Sequence, residues 1–280
     1  MKHVITRKED LNAADYLIDV VAPEVARRFV PGNFCVLITI PGGERIPMSI
    51  QKAENDTITL YIKRLGKTSR EMDGWSVGDA LHAVIGPLGT PPPIKKYGNV
   101  VFLSDLVCGH AENYAMCKAL GAFDANHITS VQSFPTAADI YPESELCEPV
   151  ADRFILATED GSRGVKGHYL DIMKQLREEG DVDQVFAGGG IPPLQELSIL
   201  TAKYNVPVYT TVRQIMVDAT GMCGSCRVFI DGEQKLACID GPMFDGHKVD
   251  WPSAISRLGM FKAKEAEALG CFNHKLQGGK

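Results

Sequence analysis

The stretch VDATGMCGSCRVFIDGEQKLACIDGPMFD, residues 217–245, restricts this chain more than any other. Cys223 and Cys226 form a C-x2-C couple, Cys238 follows after eleven intervening residues, and Asp218 stands five positions before Cys223. One common way to hold a [2Fe–2S] cluster is C-x4-C-x2-C plus a distant fourth cysteine. The present spacing, D-x4-C-x2-C-x11-C, matches that template with aspartate in the first place. A carboxylate is anionic and can ligate iron, although it is a harder donor than thiolate. Gly221 and Gly224 suit a loop that folds tightly around an inorganic core, where side chains would obstruct it. Zinc is one alternative, but its sites usually carry two couples of ligands and only one couple is found here. Plain thiols are the other, since a disulfide framework belongs to small secreted chains.

At 280 residues the chain has room for two compact domains and a small appendage. No apolar run approaches the roughly 18 residues of a membrane span. The opening MKHVITRKEDLN lacks the apolar core of a signal peptide. A net charge of −6 offers no basic face for nucleic acid or for a membrane. Cys35, Cys108, Cys117, Cys147 and Cys271 follow no framework spacing. They are expected to be ordinary thiols in a reducing compartment, and the expected location is cytoplasmic. His110 and His168 show no partner at ligand spacing and receive no metal.

Taken in order, residues 1–97 read as a β-barrel domain. Segments 16–22, 34–40, 57–63 and 81–85 are short, aliphatic and β-branched, and turn residues separate them. EVARRF (24–29) is the clear helical pattern among them, and the prolines at 91–93 make a linker. Residues 98–212 alternate strand and helix: strands at 100–104, 128–134, 153–158, 184–190 and 207–212, helices at 111–121, 168–180 and 194–205. That alternation predicts a parallel α/β sheet covered on both faces, with ligands at the carboxyl ends of its strands. Residues 213–251 form the cluster segment and 252–280 a tail, whose polar end, 273–280, is expected to fray.

A barrel, an α/β domain and a C-terminal cluster segment in this order resemble the ferredoxin–NADP reductase superfamily. MVDATGMCGSCRV and ACIDGPMFDGHKVDW place the chain nearest its electron-transfer-subunit branch. That branch includes the small subunits of NADH-dependent ferredoxin:NADP oxidoreductase and sulfide dehydrogenase and the iron–sulfur subunit of dihydroorotate dehydrogenase. The resemblance implies Asp218, Cys223, Cys226 and Cys238 as [2Fe–2S] ligands. It also implies FAD in the barrel. ERIPMSI (44–50) is similar to the family's flavin-binding strand, with Arg45 for the pyrophosphate, Ser49 at the flavin edge, and Pro47 and Met48 for backbone and packing. LGKTSREM (65–72) is similar to its phosphate loop, through Gly66, Thr68 and Ser69.

The resemblance further implies an NAD(P)H site in the α/β domain, with Gly109, Ala111, Asp160 and Gly189 in matching positions. The first nucleotide loop departs from the family: in SDLVCGHAEN (104–113), Ser104, Asp105 and Leu106 stand where glycines are usual, and Glu112 replaces a proline. A carboxylate at Asp105 would repel a pyrophosphate. The second loop, AGGGIPPL (187–194), keeps its glycines. The expected function is therefore an FAD- and [2Fe–2S]-containing electron-transfer subunit of a multi-subunit oxidoreductase that links pyridine nucleotides and ferredoxin, in an electron-bifurcating manner. The alternatives are a relay that no longer takes NAD(P)H, a subunit for dihydroorotate oxidation, or a non-catalytic docking subunit. The expected partners are a larger flavoprotein/iron–sulfur subunit and ferredoxin.

Overall fold

A computed structural model describes residues 2–276. The first seven strands are β1 (His3–Asp10), β2 (Asp15–Val21), β3 (Phe34–Ile38), β4 (Ile46–Glu54), β5 (Thr57–Lys63), β6 (Ala80–Leu81) and β7 (Ala83–Leu88). They form one antiparallel sheet in the order β6-β1-β2-β5-β4-β3-β7. The two edge strands, β6 and β7, are separated only by His82, so the sheet has to curl until its edges nearly meet. Alternation decides what fills it: Tyr16, Ile18 and Val20 of β2 and Ile58, Leu60 and Ile62 of β5 point inward into one core. Leu17 and Tyr61 point outward yet are buried too, against Phe134 and Tyr141 of the second domain. A strand covered on both faces reads as a continuous apolar run, which is why these segments stand out in the sequence. Helix α1 (Pro23–Ala26) is shorter than expected, and α2 (Lys67–Asp73) follows the glycine at 66.

The second sheet contains β8 (Asn99–Ser104), β9 (His127–Phe134), β10 (Arg153–Thr158), β11 (Val165–Lys166), β12 (Gln184–Gly188) and β13 (Val208–Thr211). Its helices are α3 (Leu106–Leu120), α4 (Tyr169–Glu179) and α5 (Ile191–Lys203). Val100 and Phe102 of β8 pack under Met116 and Leu120 of α3, whereas Val101 and Leu103 face α4 and α5. Each such buried side chain contributes roughly 2 kcal/mol.

After β13 come β14 (Arg227–Ile230), β15 (Glu233–Leu236) and β16 (Met243–Asp245), then α6 (Trp251–Arg257) and α7 (Lys262–Leu276). The hairpin β14–β15 carries the cluster loop, and β16 joins the α/β sheet antiparallel to β13. The sheet is therefore mixed rather than wholly parallel, in the order β11-β10-β9-β8-β12-β13-β16. Two further expectations are corrected. The first turn of α3, read as loop, is helical from Leu106, and residues 273–276, expected to fray, continue α7. Residues 277–280 lie outside the described residues.

Close approach between α3 and β12 depends on glycine. A Cβ on Gly109 would lie 2.1 Å from the Gly188 carbonyl oxygen, a backbone atom that cannot move aside. Gly109→Ala is expected to cost about 1–3 kcal/mol, the usual penalty of overpacking. Chemical denaturation would read this, and an unchanged midpoint would show that the helix simply shifts.

Candidate functional site

The cluster loop brings two of its four predicted ligands into contact. Cys226 and Cys238 are 2% and 0% exposed, and their sulfurs lie 3.3 Å apart. The Ala237 amide donates to the Cys226 carbonyl, so the hairpin itself sets this approach. Cys223 and Asp218 lie toward the surface. The Asp218 carboxylate accepts the amides of Thr220 (2.9 Å), Met222 (3.1 Å) and Cys223 (2.8 Å). Among the described residues these four do not yet form a complete metal-ligand set. Gly221 and Gly224 take positive φ, +86° and +67°, which the tight loop requires.

The donor chemistry fits an anionic iron–sulfur core. The Thr220 amide, helped by those of Cys223 and Met222, holds the Asp218 carboxyl below its ordinary range. Burial first, and the Cys226 sulfur second, push the Cys238 thiol up to about 12. Two thiols this close cannot both ionise unless a cation stands between them, and metal binding supplies one.

The flavin candidates line a strip of β4 and the loop before it. Arg45 and Pro47 are exposed, and Met48 and Ser49 are half-buried. Arg45 Nη1 donates to the Asp218 carbonyl oxygen at 2.9 Å, which joins this strip to the cluster loop. A Cβ on Gly66, at the start of α2, would meet no atom within 4 Å, so that side of the strip is open to a ligand. Thr68 and Ser69 are otherwise engaged. Ser69 Oγ accepts the Leu65 and Gly66 amides at 3.1 Å each, a capping role, and Thr68 donates to Glu44. Arg45, Pro47, Met48, Ser49, Gly66, Thr68 and Ser69 remain the flavin candidates, with the hydroxyls of Ser49, Thr68 and Ser69 all hydrogen-bonded within the protein.

Glu112 is a residue that sequence reasoning placed only as a departure. Its carboxyl is buried, accepts Ser49 Oγ at 2.7 Å and Thr211 Oγ1 at 2.5 Å, and so links β4, α3 and β13. Burial raises its proton affinity, against the Thr211 and Ser49 hydroxyls and the charge of Arg213. A polar residue in a helix whose neighbouring positions pack inward is the signal that would have found it.

The nucleotide candidates divide. Gly109 faces Gly188 at the end of β12, while Gly189 faces Asp105. Ala111 packs instead against Phe134 and Leu17, and Asp160 caps its own turn by accepting the Ser162 amide and hydroxyl at 2.9 and 2.6 Å. Asp105 enters the Gly189 loop: Oδ1 accepts the Gly190 amide at 2.7 Å, and Oδ2 lies 3.3 Å from His168 Nε2. Burial pushes the Cys108 thiol up to about 11 and the His110 imidazole down to about 3.

Comparison with known proteins agrees with this arrangement. Residues 213–250 match the iron–sulfur cluster binding domain of dihydroorotate dehydrogenase B. The chain is 37% identical over 246 residues to a Thermotoga maritima homologue of the dihydroorotate dehydrogenase B (NAD(+)) electron transfer subunit, covering 87% of this chain and 86% of that one. It is 30% identical to a probable electron transfer subunit of the same enzyme from Methanopyrus kandleri, covering 79% and 81%. Among solved structures it is similar to an NADH-dependent reduced ferredoxin-NADP oxidoreductase described for flavin-based electron bifurcation, with TM-score 0.89 and 32% identity over 96% of this chain and 97% of that one.

Proposed function

The chain belongs to the family of dihydroorotate dehydrogenase B electron transfer subunits and their homologues, and from that premise we propose how its parts divide the work. It is an electron-transfer subunit of an oxidoreductase, with the flavin-reductase fold and an iron–sulfur domain. In this reading residues 1–97 hold FAD, 98–212 form the α/β scaffold, 213–251 hold the [2Fe–2S] cluster, and 252–280 complete the C-terminus. Bound FAD exchanges electrons in pairs or singly, and the cluster passes them one at a time. Arg45, Ser49 and Gly66 orient the flavin; Asp218, Cys223, Cys226 and Cys238 hold the cluster.

The observation that carries this reading is the Arg45–Asp218 bond, 2.9 Å. One guanidinium thereby ties the loop that would hold the cluster to the strand that would hold the flavin phosphates. Its remaining donors stay available for phosphate oxygens, for which the planar fork is suited. The partner in this proposal is a larger flavoprotein with iron–sulfur clusters, working with ferredoxin in the cytoplasm. The similarity to a bifurcating oxidoreductase supports that choice. The family names equally support service to a dihydroorotate-oxidising subunit. Co-purification with a barrel-type dehydrogenase would select that second reading. Among the described residues no helix is long and apolar enough to cross a membrane.

Two variants test the assignment. Arg45→Ala is expected to weaken FAD retention roughly ten- to a hundredfold, the loss of charge-assisted bonds worth about 1.5–3 kcal/mol. FAD release on dilution measures it, and full retention would remove Arg45 from the flavin site. Asp218→Cys is expected to keep a [2Fe–2S] cluster with an altered EPR spectrum, because an oxygen ligand becomes sulfur. An unchanged spectrum would strike Asp218 from the ligands.

A further inference from the structure

In a doubly wound sheet, ligands enter where neighbouring strands send their connections to opposite faces. Here that place lies between β8, whose connection α3 covers one face, and β12, whose connection α5 covers the other. The crevice has glycines at 188, 189 and 190 on one wall and the turn into α3 on the other. It is filled by the chain itself.

Asp105 does most of the filling. Its Oδ1 takes the amide of Gly190, the first free donor of the 13-residue helix α5. Its Oδ2 accepts from His168, at the start of α4; because His168 Nδ1 accepts the Leu170 amide at 3.4 Å, the ring proton stands on Nε2, facing the carboxylate. The carboxylate thus lies at the positive ends of two helices that share one face of the sheet, where an anionic ligand would be drawn. Asp105 and its partner His168 are both shielded, with side-chain exposures of 14% and 18%. A Cβ on Gly189 would fall 1.5 Å from Asp105 Oδ1, so the space this glycine leaves is already taken by the carboxylate. On the far side of the same loop, a Cβ on Gly188 would lie 2.6 Å from a carboxyl oxygen of Glu112. Arg213 donates to the Gly189 carbonyl at 3.1 and 2.5 Å. The backbone still follows a glycine path, since Leu106 has φ +57°.

We propose that Asp105 is an internal anion that closes this crevice to dinucleotides, so that pyridine nucleotides do not bind here and electrons reach this chain from its partner. The proposal rests on the reading of the chain as an FAD- and [2Fe–2S]-carrying subunit. It sharpens the mismatch at Asp105 from simple repulsion to occupation: a pyrophosphate would have to displace a carboxylate that already holds the Gly190 amide.

The test uses the full-length protein with its cofactors, whose flavin and cluster are first verified by absorbance and EPR under dithionite. Failure at that step counts against the function, not against Asp105. NADH and NADPH are then added separately, with binding read by calorimetry and flavin bleaching read anaerobically. The wild type is expected to show no saturable binding below millimolar nucleotide and no bleaching. Asp105→Gly, which empties the crevice, is expected to bind at least one nucleotide roughly tenfold or more tightly than the wild type. Asp105→Asn, which keeps an oxygen on the Gly190 amide but drops the charge, should fall between them. It also serves if the glycine variant does not fold. Micromolar binding by the wild type, or no tightening in either variant, overturns the proposal.

Discussion

Replacing either Cys226 or Cys238 by serine is expected to leave a folded, yellow flavoprotein without a [2Fe–2S] EPR signal. Both sulfurs are buried and in contact at 3.3 Å, so neither can be supplied by water or by a neighbouring side chain. Iron–sulfur clusters depend on thiolate, and a hydroxyl is both harder and far more weakly acidic. The fold should survive because serine is slightly smaller than cysteine and the core around Ala237 and Val228 is otherwise complete. The same geometry orders the reactivity of the metal-free protein. Cys223 is exposed, and although some desolvation works the other way, Ser225 and the Asp218 loop hold its thiol below its ordinary value. Cys238 is pushed up to about 12, chiefly by burial. Alkylation of apo-protein should therefore modify Cys223 well before Cys226 or Cys238, and cluster assembly should protect all three. Mass spectrometry of the alkylated peptides measures this directly. Equal labelling of the three would mean that the loop is open without its metal.

What the sequence made legible follows from which signals are local. The strands β8 and β12 are buried on both sides, β9, β10 and β13 are buried in part, and their apolar residues needed no partner to be seen. The cluster loop carried its chemistry in its spacing. β1 was missed because HVITRKED has few apolar positions to mark a period, and its Arg7 and Lys8 are half-buried through ion pairs that only the fold supplies. β16 is only Met243–Asp245, too short to carry one. The first turn of α3 was read as loop because SDLVCGHAEN was matched to the family's nucleotide loop; Gly109 within it serves close packing against Gly188. Ser69 was matched to phosphate through the family's loop, and its hydroxyl also caps the start of α2, a use to which a hydroxyl at that position is equally suited. The charge of Asp105 was visible; its partners Gly190 and His168 are 85 and 63 residues away in the chain, and no local rule connects them.

Glu112 offers the other large effect, and its sign depends on pH. Truncation by Glu112→Ala would leave the Ser49 and Thr211 hydroxyls without their buried acceptor. Each orphaned group costs about 1–3 kcal/mol, so a total loss of about 2–6 kcal/mol is expected. The isosteric Glu112→Gln behaves differently. Burial raises the folded-state pKa of Glu112 above its ordinary 4.5, so the folded protein binds this proton more tightly than the unfolded chain does. The stability tied to that proton is complete below 4.5 and is lost as pH rises through the elevated folded value. Glutamine does not titrate. Its stability relative to wild type should therefore improve as pH rises from about 4 toward neutrality, and the gain should stop once the wild-type carboxyl is fully ionised. Denaturation midpoints of the two proteins across that range decide the matter. A difference independent of pH would mean that folding leaves the proton affinity of Glu112 unchanged, with the two hydroxyls and Arg213 offsetting desolvation. In that case the junction of β4, α3 and β13 would carry a negative charge beside Ser49 at neutral pH, and any flavin held against that strand would be harder to reduce.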